Sequence, residues 1–574
     1  MSTRSNRRSS ASSGWLILMW MLILGAVVAA AGALLYQYKH KVSSKPTGNK
    51  QQVEQVSSVE KPKASYDVIV VGTDPEGIAA AVSAARNGLS TLLVDGRNRD
   101  ILGGLMTEGW LNTIDFNYAP KTNPLGKHEV LNKGMFSEWF SKVEGSSFDV
   151  STAANAFNDM VRHEQNLDVL MKTQKIEPVT AAGESGSTVV QGASIVLENG
   201  TQQTVKAGAV IDATQDGDFA AAAGVPFTMG REDLGDPKSK MAVTLVFKLA
   251  NVTPEVWSQM ANRLNNDQFA TTGVDNVSVW GYGEMSNYPA QNKERAKMRG
   301  LNMGRENDNS VLVNSLQIFD VDVLDPKSVE EAFQIGKNEL PHVVDYMRKT
   351  FPEFAGVELA GTAPELYVRE TRHMQGEYRL NIVDVCTNGD QWDRIGFGSY
   401  PVDIQRVSAA DSGNVVCEPT QYAIPFRSLV PQKVDNLLVV GRAASYDTLP
   451  HGSARVIPTG MAEGEAAGAA AKIAQDGKVT FRQLSASKEL VAKLQNRLIQ
   501  QGVELAPIEV KPEPFMEHKS FDALKSALML GLATGSYDNN FHLDDQANPK
   551  RMVNLVNGAK KMKPEAFQGI LPQL

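Results

Sequence analysis

Gly72, Asp74 and Gly77 stand between an apolar run, Tyr66–Val71, and an alanine-rich stretch, Ile78–Asn87. Strand, glycine turn, helix is the order that leaves free backbone N–H groups at a helix start, where a dinucleotide pyrophosphate can bind. Gly72 permits the tight turn and Gly77 lets helix and strand approach. A second apolar run, Thr91–Val94, ends at Asp95, whose carboxylate can accept hydrogen bonds from adenosine ribose hydroxyls. Asp74 departs from the GxGxxG pattern, since it occupies the middle-glycine position. A carboxylate there repels a pyrophosphate unless it turns away and caps the helix.

A second set of residues could act on a substrate. Arg369, Arg372 and Arg455 are cations suited to holding a carboxylate or a developing negative charge, and each could instead serve a structural salt bridge. His451, in Leu449–Arg455, titrates near the range of a general base; a lone histidine is more often structural. Tyr378 and Asp403 are weaker candidates. No cluster with metal-ligand spacing is present, and no metal is expected.

Four further segments join the first into one pattern. Leu102-Gly103-Gly104 follows the second strand. Val210–Asp218 reads as a strand running into a polar turn that carries Asp216, with Gln215 where a glycine is usual. Tyr367–Arg372 precedes Gly376-Glu-Tyr378. Leu437–Arg442, with Gly441 and Arg442, precedes Arg455, Pro458-Thr-Gly460 and Gly464–Gly468. Together they resemble the FAD-dependent oxidoreductase family, with its glutathione-reductase-type FAD-binding fold, from about Tyr66 to Ala474. The resemblance implies non-covalent FAD held by Gly72, Asp74, Gly77, Asp95, Gly103, Gly104, Asp216, Gly441, Arg442, Gly460 and Gly464. It implies hydride transfer between FAD and a small organic substrate, with quinone, oxygen or another acceptor downstream. Many members of the family carry a histidine two residues after Asp403; here it is Gln405, which weakens the case for a base there.

The elements that must position these groups define an α/β fold: a Rossmann-type FAD-binding domain interrupted by an α+β substrate domain. The expected boundaries are a basic tail at 1–14, a transmembrane helix at 15–36 and a flexible tether at 37–64. The FAD-binding domain follows at 65–225 and 428–475, the substrate or cap domain at 226–427 and a helical C-terminal region at 476–574. Trp15–Tyr36 is long enough to cross a bilayer as a single-pass signal-anchor, with aromatic residues towards its ends. A cleaved signal peptide is the alternative, although the apolar run continues past Ala29–Ala31. Lysines and arginines flank both ends, so charge hardly sets the orientation; the preference is for a catalytic domain outside the cytoplasm. Phe521–Arg551 resembles one S-layer homology repeat, and a packed helical tail is the other reading.

Composition narrows the field. In 574 residues the net charge is −8, which gives no basic face for nucleic acid. A second glycine-rich strand–turn–helix is absent from the sequence, so no dedicated NAD(P) site is expected. Cys386 and Cys417 are the only cysteines and cannot ligate a four-cysteine cluster. They are either buried small hydrophobes or one structural disulfide. Two classes of function remain: an enzyme, or a wall- or partner-binding module whose FAD is structural or lost.

Overall fold

The computed structural model describes residues 19–21, 42–122, 128–267, 272–546 and 548–568. The expected tail and nearly all of the expected membrane-spanning segment 15–36 lie outside the described residues. Among the described residues no helix is long and apolar enough to cross a membrane.

The cofactor domain is built on strand β1 (Ser65–Val71), helix α1 (Pro75–Arg86) and strand β2 (Thr91–Val94). Val68, Ile69, Val70 and Val71 are all buried, as a strand covered on both faces requires. Helix α2 (Val150–Arg162) leads into β3 (Leu167–Leu170). A meander follows: β4 (Lys175–Ala182), β5 (Thr188–Val196) and β6 (Gln202–Asp212). After the cap, β7 (Leu437–Val439), helix α3 (Thr448–Ala454) and helix α4 (Ile457–Gly477) complete the domain. The parallel core runs β7-β6-β1-β2-β3, with Val71 opposite both Val94 and Asp212, and Val439 opposite Asp212. The carboxyl ends of β1, β2, β6 and β7 therefore open on one edge, where ligands bind in such sheets.

Helices α1 and α4 pack closely. Ser83 Oγ donates to the Glu465 carbonyl at 2.7 Å. A Cβ at Gly464 would run into the Glu76 backbone, and one at Gly468 would lie 2.5 Å from the Ala80 carbonyl. The cap carries a six-stranded antiparallel sheet, formed by 273–274, 278–281, 301–305, 311–313, 247–250 and 358–362 in that order. The 25-residue helix Pro326–Thr350 accompanies it. Its core, with Trp257, Phe247 and Phe351, is separate from that of the cofactor domain.

Two expectations need correction or decision. Residues 42–64, expected to be a flexible tether, form a strap across both domains. Ser43 N–H donates to Asn276 at 2.7 Å, and Arg305 donates to the Ser43 and Lys45 carbonyls at 3.1 and 3.2 Å. Lys50 lies 2.9 Å from Asp149 and 3.1 Å from Glu306, and Val59 N–H donates to the Val169 carbonyl at 2.8 Å. The polar composition that suggested disorder instead supplies a lysine to Asp149 of the cofactor domain and Glu306 of the cap, and Val56 buries its side chain. Cys386 and Cys417 are joined in a disulfide. The C-terminal region packs on the cofactor core through Leu494, Leu498, Leu524, Leu528 and Phe541.

Candidate active site

Gly72 ends β1 with φ +112°, a conformation open to glycine, and a Cβ there would stand 2.5 Å from the Ala213 carbonyl oxygen. A Cβ at Gly77 would run into the Gly72 carbonyl. The turn is thus as tight as its spacing required, and α1 starts at Pro75, three residues before the expected Ile78. Asp95 closes β2; its carboxylate accepts from the Arg97 and Arg99 N–H groups at 3.1 and 2.9 Å and from the Thr73 hydroxyl at 3.3 Å.

Asp74 does not cap α1. Its carboxylate takes Arg99 Nη1 at 2.6 Å and the Leu105 N–H at 2.8 Å, close beside Gly104. Burial works against the charge, but Arg99 and Arg97 overcome it and hold Asp74 below the usual carboxylate range. The nearest partner therefore answers the repulsion expected of Asp74. Glu76, two residues on, points toward Gly441 and accepts from Gln215 Nε2 at 2.5 Å. Burial and the Asp74 charge raise its carboxyl. Asp216 is clamped by Arg442 at 2.6 Å, Arg97 at 2.7 Å and the Thr371 hydroxyl at 2.9 Å.

These side chains divide the edge of the sheet into two recesses. One of about 90 Å³ is lined by Gly72, Asp95 and Arg97, the adenosine end of a dinucleotide track. The other, about 30 Å³, is lined by Gly441, Arg442, Gly460, Arg369 and Arg455. Gln215 lines both. The strand ends, the tight glycine turn and the Asp95 acceptor fit FAD. Arg442 Nε, buried and without a partner, is one donor free to meet it.

Of the remaining expected contacts, Gly103 donates its N–H to the Thr73 carbonyl at 3.0 Å and backs onto Phe157. Gly464 faces the backbone of α1 and not the track, so its smallness serves helix packing. Arg455 and Arg369 come together: Arg455 Nη1 donates to the Tyr367 hydroxyl at 3.1 Å, and the Arg369 guanidinium lies 3.9 Å from the Tyr367 ring centroid. Burial pushes Arg369 down to about 10. Arg372 is elsewhere: it pairs with Asp218 at 3.3 Å, and Asp218 belongs to the adenosine end. His451 is also displaced. Buried in α3 and set edge-on to His373 at 4.7 Å, it lines neither recess. Burial, then the His373 charge, drives it far below the ordinary histidine range. Tyr378 donates to Asp384 at 2.7 Å, and Asp403 bonds Gln405.

The sequence reading missed the feature on the substrate side. A cavity of about 630 Å³ shares Thr113 and Asp115 with the flavin-side recess and opens between Tyr118, Trp280, Tyr400 and Glu418. Asp115 is raised by burial against the pull of Arg455, and Tyr400 is raised well above the tyrosine range, also by burial. These residues come from separated segments with no shared spacing.

A parallel sheet with a strand–glycine–helix cradle and an acidic β2 terminus defines a dinucleotide-binding flavoprotein. The chain belongs to the FAD dependent oxidoreductase family, which residues 67–498 match. FAD is its cofactor and it is an enzyme, which decides against the binding-module reading. Over 157 residues it is 27% identical to a dihydrolipoyl dehydrogenase of Chlorobaculum parvum, covering 27% of this chain and 31% of that one. It is 50% identical over 50 residues to an uncharacterized protein of Methanosarcina barkeri, covering 9% and 26%. The chain spans about a third or less of the curated relatives it matches. Among solved structures, a geranylgeranyl bacteriochlorophyll reductase-like protein from Thermoplasma acidophilum is 14% identical with TM-score 0.36, covering 88% of this chain and 98% of that one. The p-nitrophenol 4-monooxygenase of Pseudomonas putida is 10% identical with TM-score 0.37, covering 87% and 99%.

Proposed function

We propose that the protein transfers electrons between a small organic substrate and FAD, with the substrate bound in the 630 Å³ cavity. One observation carries this reading: Thr113 and Asp115 line both that cavity and the recess of Gly441, Gly460 and Arg455. Bound FAD supplies two-electron chemistry. Arg455, supported by Tyr367, holds a substrate carbonyl or carboxylate at the neck. Asp115, its carboxyl raised by burial, exchanges a proton with the substrate there, and the Tyr400 hydroxyl stays neutral beside it. Quinone or oxygen then accepts the electrons.

The apolar stretch 15–36 anchors the enzyme to a bilayer, and the disulfide favours an oxidising compartment, so the catalytic domain faces outward. Purified protein is expected to be yellow, and candidate donors screened anaerobically should bleach it. A colourless protein after refolding with excess FAD sinks the reading. Protease added to intact cells should release the domain; full protection places it inside.

A further inference from the structure

We propose that the 630 Å³ cavity selects a cationic organic substrate, an amine whose ammonium lies among Glu418, Asp275 and Asp115 and whose apolar body rests on Tyr118 and Trp280. The inference rests on the reading of the cavity as the substrate site and names the class of molecule admitted. Three carboxylates line this space, and among the described residues no lysine or arginine does. The guanidiniums of Arg369 and Arg455 lie beyond Asp115, in the recess behind the neck. Charge is therefore segregated along the path: acidic in the cavity, basic at the flavin end.

Each carboxylate is placed differently. Asp275 is fixed in the wall by the N–H groups of Val277 and Ser278, at 2.8 and 2.7 Å. Glu418 is fixed through its backbone instead. Asn539 accepts from the Glu418 N–H at 2.9 Å and donates to its carbonyl at 2.9 Å. Burial raises the Glu418 carboxyl, and among the described residues no cation pairs with it. A carboxylate left so at a cavity mouth is the group a cationic ligand would satisfy. Trp280 and Tyr118 remain 42% and 45% exposed on the same walls. Aromatic faces attract an ammonium and exclude water from its apolar body. An anion meets the Glu418 and Asp275 carboxylates here, and a neutral ligand gains nothing from them.

The test uses full-length protein purified with its flavin and three probes of one body but different charge: tryptamine, tryptophol and indole-3-acetate. Calorimetry reads affinity, and absorbance reads flavin content and any spectral change on binding. Tryptamine should bind at least about tenfold tighter than tryptophol, a difference of about 1.4 kcal/mol. That advantage should shrink with added salt. Glu418→Gln should bring tryptamine toward the tryptophol level and leave tryptophol unchanged. Indole-3-acetate binding as tightly as tryptamine, no tryptamine binding at millimolar concentration, or unaltered affinity in Glu418→Gln overturns the proposal. Failure of the underlying reading looks different: the charge order holds, but binding leaves the flavin spectrum unmoved.

Discussion

The two ends of the site are built on opposite plans. At the cofactor end, buried ion pairs and close backbone approaches fill the space, leaving recesses of about 90 and 30 Å³. At the substrate end, some 630 Å³ lies open between aromatic rings and carboxylates. A cofactor bound by every member of a family can be met by fixed backbone geometry, whereas a substrate is met by side chains on loops. Rigidity and charge pairing belong to the first end, selectivity to the second.

The largest effect should come from breaking the cofactor end alone. Gly77→Val wedges α1 away from the Gly72 carbonyl, so flavin content should fall to nothing. Normal flavin content in that variant would show the site to be elsewhere. Arg455→Met, at the junction of the two ends, should keep FAD while slowing its reduction about a hundredfold, the loss of about 3 kcal/mol of charge stabilisation. An unchanged rate at full occupancy removes Arg455 from the chemistry; lost flavin makes it structural. Removing the disulfide with Cys386→Ser and Cys417→Ser should lower unfolding free energy by about 3 kcal/mol in denaturant titrations. Flavin should stay bound, because the bridge borders the mouth at Glu418 and not the cradle. A matching loss of flavin would erase the distinction between the ends.

The smallest effect is a slope in pH. Burial raises the carboxyl of Glu463 to about 8 and that of Glu465 to about 7, both on α4 at the cofactor end. The folded state then keeps protons that the unfolded chain releases above ~4.3. Stability is full below that ordinary carboxylate value and declines as pH rises toward the folded-state values of these groups. The thermal midpoint should fall over this window, and Glu463→Gln should make the fall shallower. A midpoint that rises with pH would mean these carboxyls are ionised in the fold.

The contrast also explains what was legible in the residues. Gly72, Gly77 and Asp95 could be read because a tight turn, a helix start and a strand end each demand particular residue types at fixed spacing. Gly441, Arg442 and Gly460 were legible for the same reason. Arg372 and His451 misled because a cation or an imidazole near a motif says nothing of which way the chain faces; Asp218 and His373 claimed them. Asp115, Tyr400 and Trp280 carry no local signal, since 285 positions separate the first two and a strand of the cap sheet supplies the third. The strap was misread because polar composition describes solvation and not the carboxylates that await a lysine.

That strap bears on how molecules come and go. Between Ser43 and Pro62 the chain is stitched to Asn276 and Arg305 in the cap and to Asn155, Val169 and Gln203 in the cofactor domain. Hinged enzymes admit substrate by swinging one lobe from the other, and a lobe laced to its neighbour at several points is restrained from doing so. Substrate access in such a laced pair of lobes falls to openings already present, among them the cavity between Tyr118, Trp280 and Glu418.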